Sequence, residues 1–449
     1  MARNREFGKS FLWVREKIRS APIDDIRRNP ADFTRKRKIG LSDTLVQILC
    51  SERMSMESEI FATSRRTGME PVSRTAMTNA REKIRPEFLK GVFDGSAESF
   101  SERNGARLRL FHGFRLLAVD GCKVSVRADC DESESFYHGS SHGKEGGRQY
   151  EISALFDVVN HYILNVDVSR RCDEHGMARN QMEWLIRKRK EPTIVVFDRG
   201  YPDARMMAAM AERGLYYVIR INSQAFRQEQ RLLGNGSGDI VVRKEWSVQA
   251  ANSYRYKDPE FREYLLAHPM EIRLVRFPVG NGTIETLVTN ISPAEMDAES
   301  LRDIYHLRWE IETVYRDIKQ RFFLSRMTGR KIVSMRLDLW SSLLCANLML
   351  MSAWETEYDN WKKLERKKPR IGKPGAESRI VGYRISRAGT SRILRQEDLF
   401  TRLVTGKWVS DKILSQTEKR MLRKLTPVRP GRSYERIFHF NPKDYSYRC

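Results

Sequence analysis

The segment YHLRWEIETVYRDIK, residues 305–319, constrains this chain more than any other stretch. Ile304, Leu307, Ile311, Val314 and Ile318 recur by threes and fours, the spacing of one helical face that has to be buried. Beside them Tyr305, Arg308, Glu312 and Lys319, at offsets of three, seven and fourteen from the tyrosine, advance by nearly whole turns and share a second face. The apolar stripe needs a layer to lie on, and the polar stripe then presents a carboxylate flanked by two cations and a phenol. That set suits a site where a metal ligand lies beside nucleic-acid phosphates. A solvated face laced with ion pairs has the same composition, so partners elsewhere decide between the two.

Two aspartates are such partners. FRLLAVDGCKVSV, residues 114–126, reads as a buried strand that ends at Asp120-Gly121 and resumes at Val124. PTIVVFDRGY, residues 192–201, is a run of β-formers ending in Asp198-Arg199-Gly200. Each Asp-Gly or Asp-Arg-Gly taken singly is an ordinary turn. Taken with Glu312, the two aspartates make three hard oxygen donors of the kind Mg²⁺ or Mn²⁺ prefers, placed at the ends of rigid elements.

With these residues the chain resembles the bacterial insertion-sequence DDE transposases (insertion sequence four family) of the Tyr-Arg-Glu-Lys signature group. Tyr305, Arg308, Glu312 and Lys319 match Y-x(2)-R-x(3)-E-x(6)-K at every position, and Trp309 and Ile311 also look familiar from that group. VDG at 119–121 looks like the family's first aspartate and DRGY at 198–201 like its second, with gaps of 78 and then 114 residues. The resemblance spans roughly residues 70–350. It implies a ribonuclease-H-like core interrupted by a β-rich insertion, and catalysis by Asp120, Asp198 and Glu312 holding two Mg²⁺ or Mn²⁺ ions. Asp120 would bridge both ions, while Asp198 and Glu312 would each complete one. Tyr305, Arg308 and Lys319 would hold phosphates of double-stranded DNA at the element's terminal inverted repeats. The implied reaction cuts those ends and joins the 3′ ends to target DNA, commonly through a hairpin helped by an aromatic side chain, within a synaptic homodimer. Trp246, in KEWSV, could stack on an extruded base, although packing is the commoner use of a tryptophan. A domesticated metal-dependent nuclease and a non-catalytic DNA-binding repressor derived from a transposase remain as alternatives.

The charge distribution points to the same class of partner. Of a net charge of +23, residues 361–449 carry +16 (24 Lys and Arg against 8 Asp and Glu) and residues 1–90 carry +8. Two basic ends on a near-neutral body are the footprint of a polyanion partner. The cysteines at 50, 122, 130, 172, 345 and 449 show neither a CxxC pair nor zinc-finger spacing, which suggests a reducing cytosol. No secretory h-region is present, and LDLWSSLLCANLMLMSAW at 337–354 falls short of the ~20 apolar residues of a membrane span, so it reads as a buried helix. A cytoplasmic, nucleoid-associated protein without membrane contact is expected.

Along the chain, residues 1–105 read as a helical DNA-binding domain. Ser42 is a candidate N-cap, Met54–Arg66 a helix ending near Gly68, and RTAMTNAREKIR a short helix with Arg74, Thr78, Asn79, Arg81 and Lys83 facing out, compatible with a helix-turn-helix reading element. Residues 106–222 read as the first part of an α/β catalytic core with a mixed sheet, including a polar loop at 128–148 (with SHGKEGG) and helices at 174–190 and 203–213. Short β runs between NGSGD and VGNG suggest a β insertion over 223–290. A helix over 297–323 belongs to the second core segment, 291–360. A basic linker, ERKKPRIGKPG, opens the basic C-terminal region, 361–449.

Overall fold

The computed structural model describes residues 5–126, 129–131, 137–141, 144–171, 173–234, 236–279, 283–367, 382–406 and 408–428. Parts of the 128–148 loop, most of the basic linker, Cys172 and Cys449 lie outside the described residues.

Five helices of eight or more residues come first among the described residues: α1 (Lys9–Ser20), α2 (Leu41–Cys50), α3 (Met56–Thr67), α4 (Arg74–Arg81) and α5 (Pro86–Asn104). Helix α2 starts one residue before the expected cap, because Gly40 N–H donates to Asp43 Oδ2 at 2.9 Å and leaves Ser42 inside the first turn. Helix α3 is capped by Ser55 and stopped by Gly68 at φ 78°, a left-handed conformation that glycine adopts without a Cβ clash.

The strands are β1 (Arg115–Ser125), β2 (Tyr137–Ser141), β3 (Lys144–Asp157), β4 (Tyr162–Ser169), β5 (Thr193–Phe197), β6 (Tyr216–Ile221), β7 (Gly238–Lys244), β8 (Met270–Val279) and β9 (Thr283–Thr289). They form one mixed sheet in the order β2-β3-β1-β5-β6-β9-β8-β7, with β4 also paired to β3. Strand β3 is antiparallel to β1 and β4, whereas β5 and β6 run parallel to β1. Part of the stretch expected as a loop at 128–148 is thus strand, since β3 begins at Lys144 and pairs with β2. The parallel strands lie in the middle of the sheet. Leu116, Leu117, Ala118 and Val119 of β1 and all of Thr193–Phe197 are buried, as expected where both faces are covered. The β runs of 223–290 extend this same sheet through the β6–β9 pairing, with a helix (Pro259–Ala267) between β7 and β8.

Helices α6 (Glu174–Lys188) and α7 (Ala204–Glu212) connect the central strands, followed by α8 (Ala298–Leu307), α9 (Trp309–Arg321) and α10 (Ile332–Asp359). The 28-residue α10 is buried along almost its whole length, polar residues such as Asp338, Asn347 and Glu355 included, the pattern of a helix threaded through a core. Among the described residues no helix is long and apolar enough to cross a membrane. Cys50, Cys122, Cys130 and Cys345 are buried free thiols.

Residues 382–428 fold back on this body. Gly382–Ile385 pairs with Leu425–Val428, and Ile393, Leu394, Leu399, Phe400, Leu403 and Met421 enter the main hydrophobic core. Their cations are partly spent internally: Arg384 and Arg387 bind Glu310 on the back of α9 at 3.1 and 2.5 Å.

Candidate active site

Asp120 and Asp198 are brought level by the β1–β5 pairing. Ala118 lies opposite Val196, so two residues further along two adjacent parallel strands the aspartates face one opening. The expected turn at Asp120-Gly121 does not form. Strand β1 continues through it in register with β3, Asp120 opposite Ala154 and Gly121 opposite Ser153. The glycine serves close approach instead, because a Cβ there would sit 3.0 Å from Glu174 Oε1. Asp198 follows the last residue of β5, as expected.

The signature segment is two nearly collinear helices. At Arg308 the backbone keeps right-handed dihedrals (φ −52°, ψ −34°), but the bonds tighten to i→i+3, from Arg308 N–H to Tyr305 and from Ile311 N–H to Arg308. The apolar stripe is buried as its period requires, with Leu307 only partly covered. Tyr315 holds α9 to the sheet by donating its hydroxyl to the Asp120 carbonyl at 2.8 Å.

This docking brings Glu312 to the two aspartates and places Arg308 among all three. The guanidinium lies 3.6 Å from Asp120 Oδ2, 3.7 Å from Asp198 Oδ2 and 3.1 Å from Glu312 Oε1. Its side chain is only 2% exposed. Tyr305, also buried, donates its hydroxyl to Asp198 Oδ1 at 3.0 Å. Lys319 sits two turns beyond Glu312 and interacts with the thiol of Cys122, the second residue after Asp120 on β1.

The two aspartates are set apart electrostatically. Burial pushes the Asp120 carboxyl up to about 6, helped by Glu312 and Asp198 and opposed by Arg308. Burial also acts on Asp198, but Arg308, the Arg199 backbone N–H and the Tyr305 hydroxyl outweigh it and hold that carboxyl below its ordinary value. Burial raises the Tyr305 phenol to about 12, so it remains a donor at neutral pH. Among the described residues no three His, Cys, Asp or Glu side chains already close on one point as a metal site does. The carboxylates face a guanidinium instead, and their donor set is oxygen only.

Beside this cluster a recess of about 300 Å³ is lined by Asp198, Arg199, Arg220, Arg308 and Trp309, and Trp309 is 40% exposed. Sequence reasoning misses Arg220 and Tyr315. The signals are a cation inside the apolar strand YYVIRI and a tyrosine three residues after Glu312. Trp246 is far less available, packed edge-on against Phe226 with a small apolar cluster and the Lys244 ammonium over its ring.

The four N-terminal candidates lie elsewhere, on α4. Arg74 and Asn79 are exposed and Thr78 is half-buried. Arg81 does not face out as expected. Its side chain is 2% exposed and binds Asp338 on α10 at 2.5 Å and Gln47 at 2.8 Å, since an Arg on the inner side of an amphipathic helix stays only where a carboxylate meets it. A groove of about 880 Å³ runs between α4 and the loop 31–39, lined by Arg35, Arg37, Lys38, Asn79 and Lys83 among others.

Comparison with known proteins bears on the same segment. Residues 112–348, which contain both aspartates and the whole signature helix pair, match the transposase DDE domain family. The chain is 26% identical over 287 residues to the transposase InsG for insertion sequence element IS4 of Escherichia coli (strain K12), 62% of this chain and 60% of that protein's length. It is 25% identical over 162 residues to the protein y4zB of Sinorhizobium fredii, 35% of this chain and 42% of the other. Among solved structures, the piggyBac transposase synaptic complex with hairpin DNA is similar at a TM-score of 0.48 and 11% identity, over 94% of this chain and 86% of that one. With more than half of its length inside the matched domain, the chain belongs to the transposase DDE domain family, alongside the transposase of IS4.

Proposed function

We propose that this transposase binds the terminal inverted repeats of its own insertion sequence, cleaves them and joins the freed 3′ ends to target DNA. The observation that carries the proposal is the convergence of Asp120, Asp198 and Glu312, from two strands and a helix, on one opening beside a cationic recess. The strand order β4-β3-β1-β5-β6, three antiparallel and two parallel, supports a ribonuclease-H-like core.

An all-carboxylate set suits Mg²⁺ or Mn²⁺ rather than softer metals, and Asp120, Asp198 and Glu312 would hold two such ions. When bound, divalent ions supply activation of an attacking oxygen and charge stabilisation of a leaving one. The chain's own residues position the reactants. Tyr305 orients the Asp198 carboxylate, and Tyr315 fixes α9 over Asp120. Arg308, Lys319, Arg199 and Arg220 offer cations to the DNA backbone. Trp309, exposed at the recess, is placed to stack an unpaired base, which suits a hairpin route better than Trp246 does. The groove between α4 and the loop 31–39 presents Arg35, Arg37, Lys38 and Lys83 to a DNA backbone, with Arg74, Thr78 and Asn79 as readers beside it. A homodimer would pair the two ends.

The test uses Asp120→Asn, Asp198→Asn and Glu312→Gln with a duplex carrying the terminal repeat found beside the gene. Each variant should lose strand cleavage in Mg²⁺ while keeping end binding, measured without divalent metal, within a few-fold, since affinity comes mainly from phosphate contacts. Near-normal cleavage by any one of them removes that residue from the site.

A further inference from the structure

The space between the three carboxylates is filled by a side chain of the protein itself. Arg308 touches all three, yet only its 3.1 Å contact to Glu312 is a hydrogen bond. Its Nε and NH1 are buried without any hydrogen-bond partner. A buried guanidinium normally satisfies most of its five donors. This one is held chiefly by charge, with few directional bonds to break when it moves.

Its surroundings also offer contacts other than the carboxylates. The guanidinium lies 5.7 Å from the Tyr305 ring and 5.5 Å from the Trp309 ring, so two aromatic faces border it beside the carboxylates. The same side chain lines the recess that Arg199, and Arg220 despite its 3.2 Å pairing with Glu285, make attractive to a phosphate. A phosphate there would offer the two parallel acceptors that a guanidinium fork prefers and that the carboxylates do not give it here.

We propose that Arg308 is an internal counter-ion: without DNA it takes the place of metal among Asp120, Asp198 and Glu312, and a backbone phosphate draws it out, so that DNA binding and divalent-metal loading are coupled. This rests on the reading of the three carboxylates as metal ligands. A positive charge within 4 Å of every ligand opposes an incoming divalent ion, and its removal onto DNA relieves that repulsion. By linkage the effect is mutual: metal tightens DNA by the same factor by which DNA tightens metal. Free protein is thereby kept short of metal, which restrains cleavage away from a properly bound strand.

The experiment measures Mn²⁺ binding, from the paramagnetic resonance signal of the free ion, for the full chain without DNA and with a 30-base-pair duplex. Arg308→Gln and Arg308→Ala should bind Mn²⁺ at least about tenfold tighter than wild type without DNA, within the usual range of coupling between sites. Arg308→Lys should stay near wild type. The duplex should tighten Mn²⁺ for wild type and change it little for the two neutral variants. Asp120→Asn serves as the control for the site, and unfolding curves show that each variant is folded. Mn²⁺ binding that Asp120→Asn weakens, but that both neutral variants leave equal to wild type or weaker, overturns the counter-ion role and leaves the ligand assignment standing. Mn²⁺ binding that is undetectable throughout, or indifferent to Asp120→Asn, overturns the ligand assignment and this inference with it.

Discussion

Asp338, on α10, is the residue whose loss should most disturb the link between the N-terminal helices and the sheet. Its carboxylate is 2% exposed and pairs with two guanidinium groups that are equally buried, Arg53 and Arg81, the second at 2.5 Å. Its other oxygen accepts from the Thr328 backbone N–H at 2.8 Å and from the Thr328 hydroxyl at 2.9 Å, in the segment that follows α9. Burial works against the charge, and the two arginines overcome it, keeping the carboxyl below its ordinary range. Asp338→Ala therefore leaves two buried cations facing each other without an anion. Removing one partner of a buried pair costs about 3–5 kcal/mol, and this carboxylate serves two partners, so the upper half of that range is expected. Urea unfolding read by tryptophan fluorescence suits the measurement, because Trp340 lies two residues away, buried against Phe93. Replacing all three residues together, Arg53→Met, Arg81→Met and Asp338→Leu, should recover most of the loss, since apolar groups of similar volume carry no desolvation penalty. A cost below about 1 kcal/mol for Asp338→Ala, or a triple variant no better than the single one, would refute the view that paired burial of these charges anchors α4 to α10.

Three further outcomes are expected from the site and the C-terminal region. Asp120 is raised to about 6 in the folded chain from an ordinary 3.8, so folding favours its protonated form. The destabilisation from its charge is absent below about pH 4 and grows until the pH passes about 6, and metal-free Asp120→Asn should gain melting temperature relative to wild type only as the pH rises through that window. A difference that is flat between pH 4 and 7.5 contradicts the burial account. Truncation after residue 428 removes five Lys and Arg against two Asp and Glu. It should lower the slope of log affinity against log salt by about 0.9 for each phosphate that the shortened chain no longer neutralises, and an unchanged slope would show that these cations do not meet DNA. Truncation after residue 381 instead exposes the core face that Ile393, Leu394, Phe400 and Met421 cover, and should sharply reduce stability; an unchanged melting curve would show that this region is not part of the core.

Local rules carried much of this molecule. Helical period marked the buried stripe of 304–318, continuous apolar runs marked β1 and β5, and the mostly apolar stretch 337–354 marked the middle of α10 as interior. The three carboxylates stood out because Asp120 and Asp198 each follow an apolar run and Glu312 shares a helical face with two cations, and their spacing matched a known pattern. What stayed hidden is every fact that depends on a partner distant in sequence. Asp-Gly at 120–121 has the composition of a turn, and only the pairing with β3 and the approach of Glu174 keep it extended. Arg81 has the helical position of a DNA reader, yet a carboxylate 257 residues away takes it inside. Arg308 shares a helical face with Lys319, but the first is enclosed by three carboxylates and two aromatic rings while the second lies beyond them. The same basic composition that suggested a DNA-binding tail includes Arg384 and Arg387, which spend their charge on Glu310. Periodicity states which side of an element is apolar. Whether a cation meets solvent, phosphate or a buried carboxylate is set by which distant elements pack against it, and that is decided only when the sheet and its helices close.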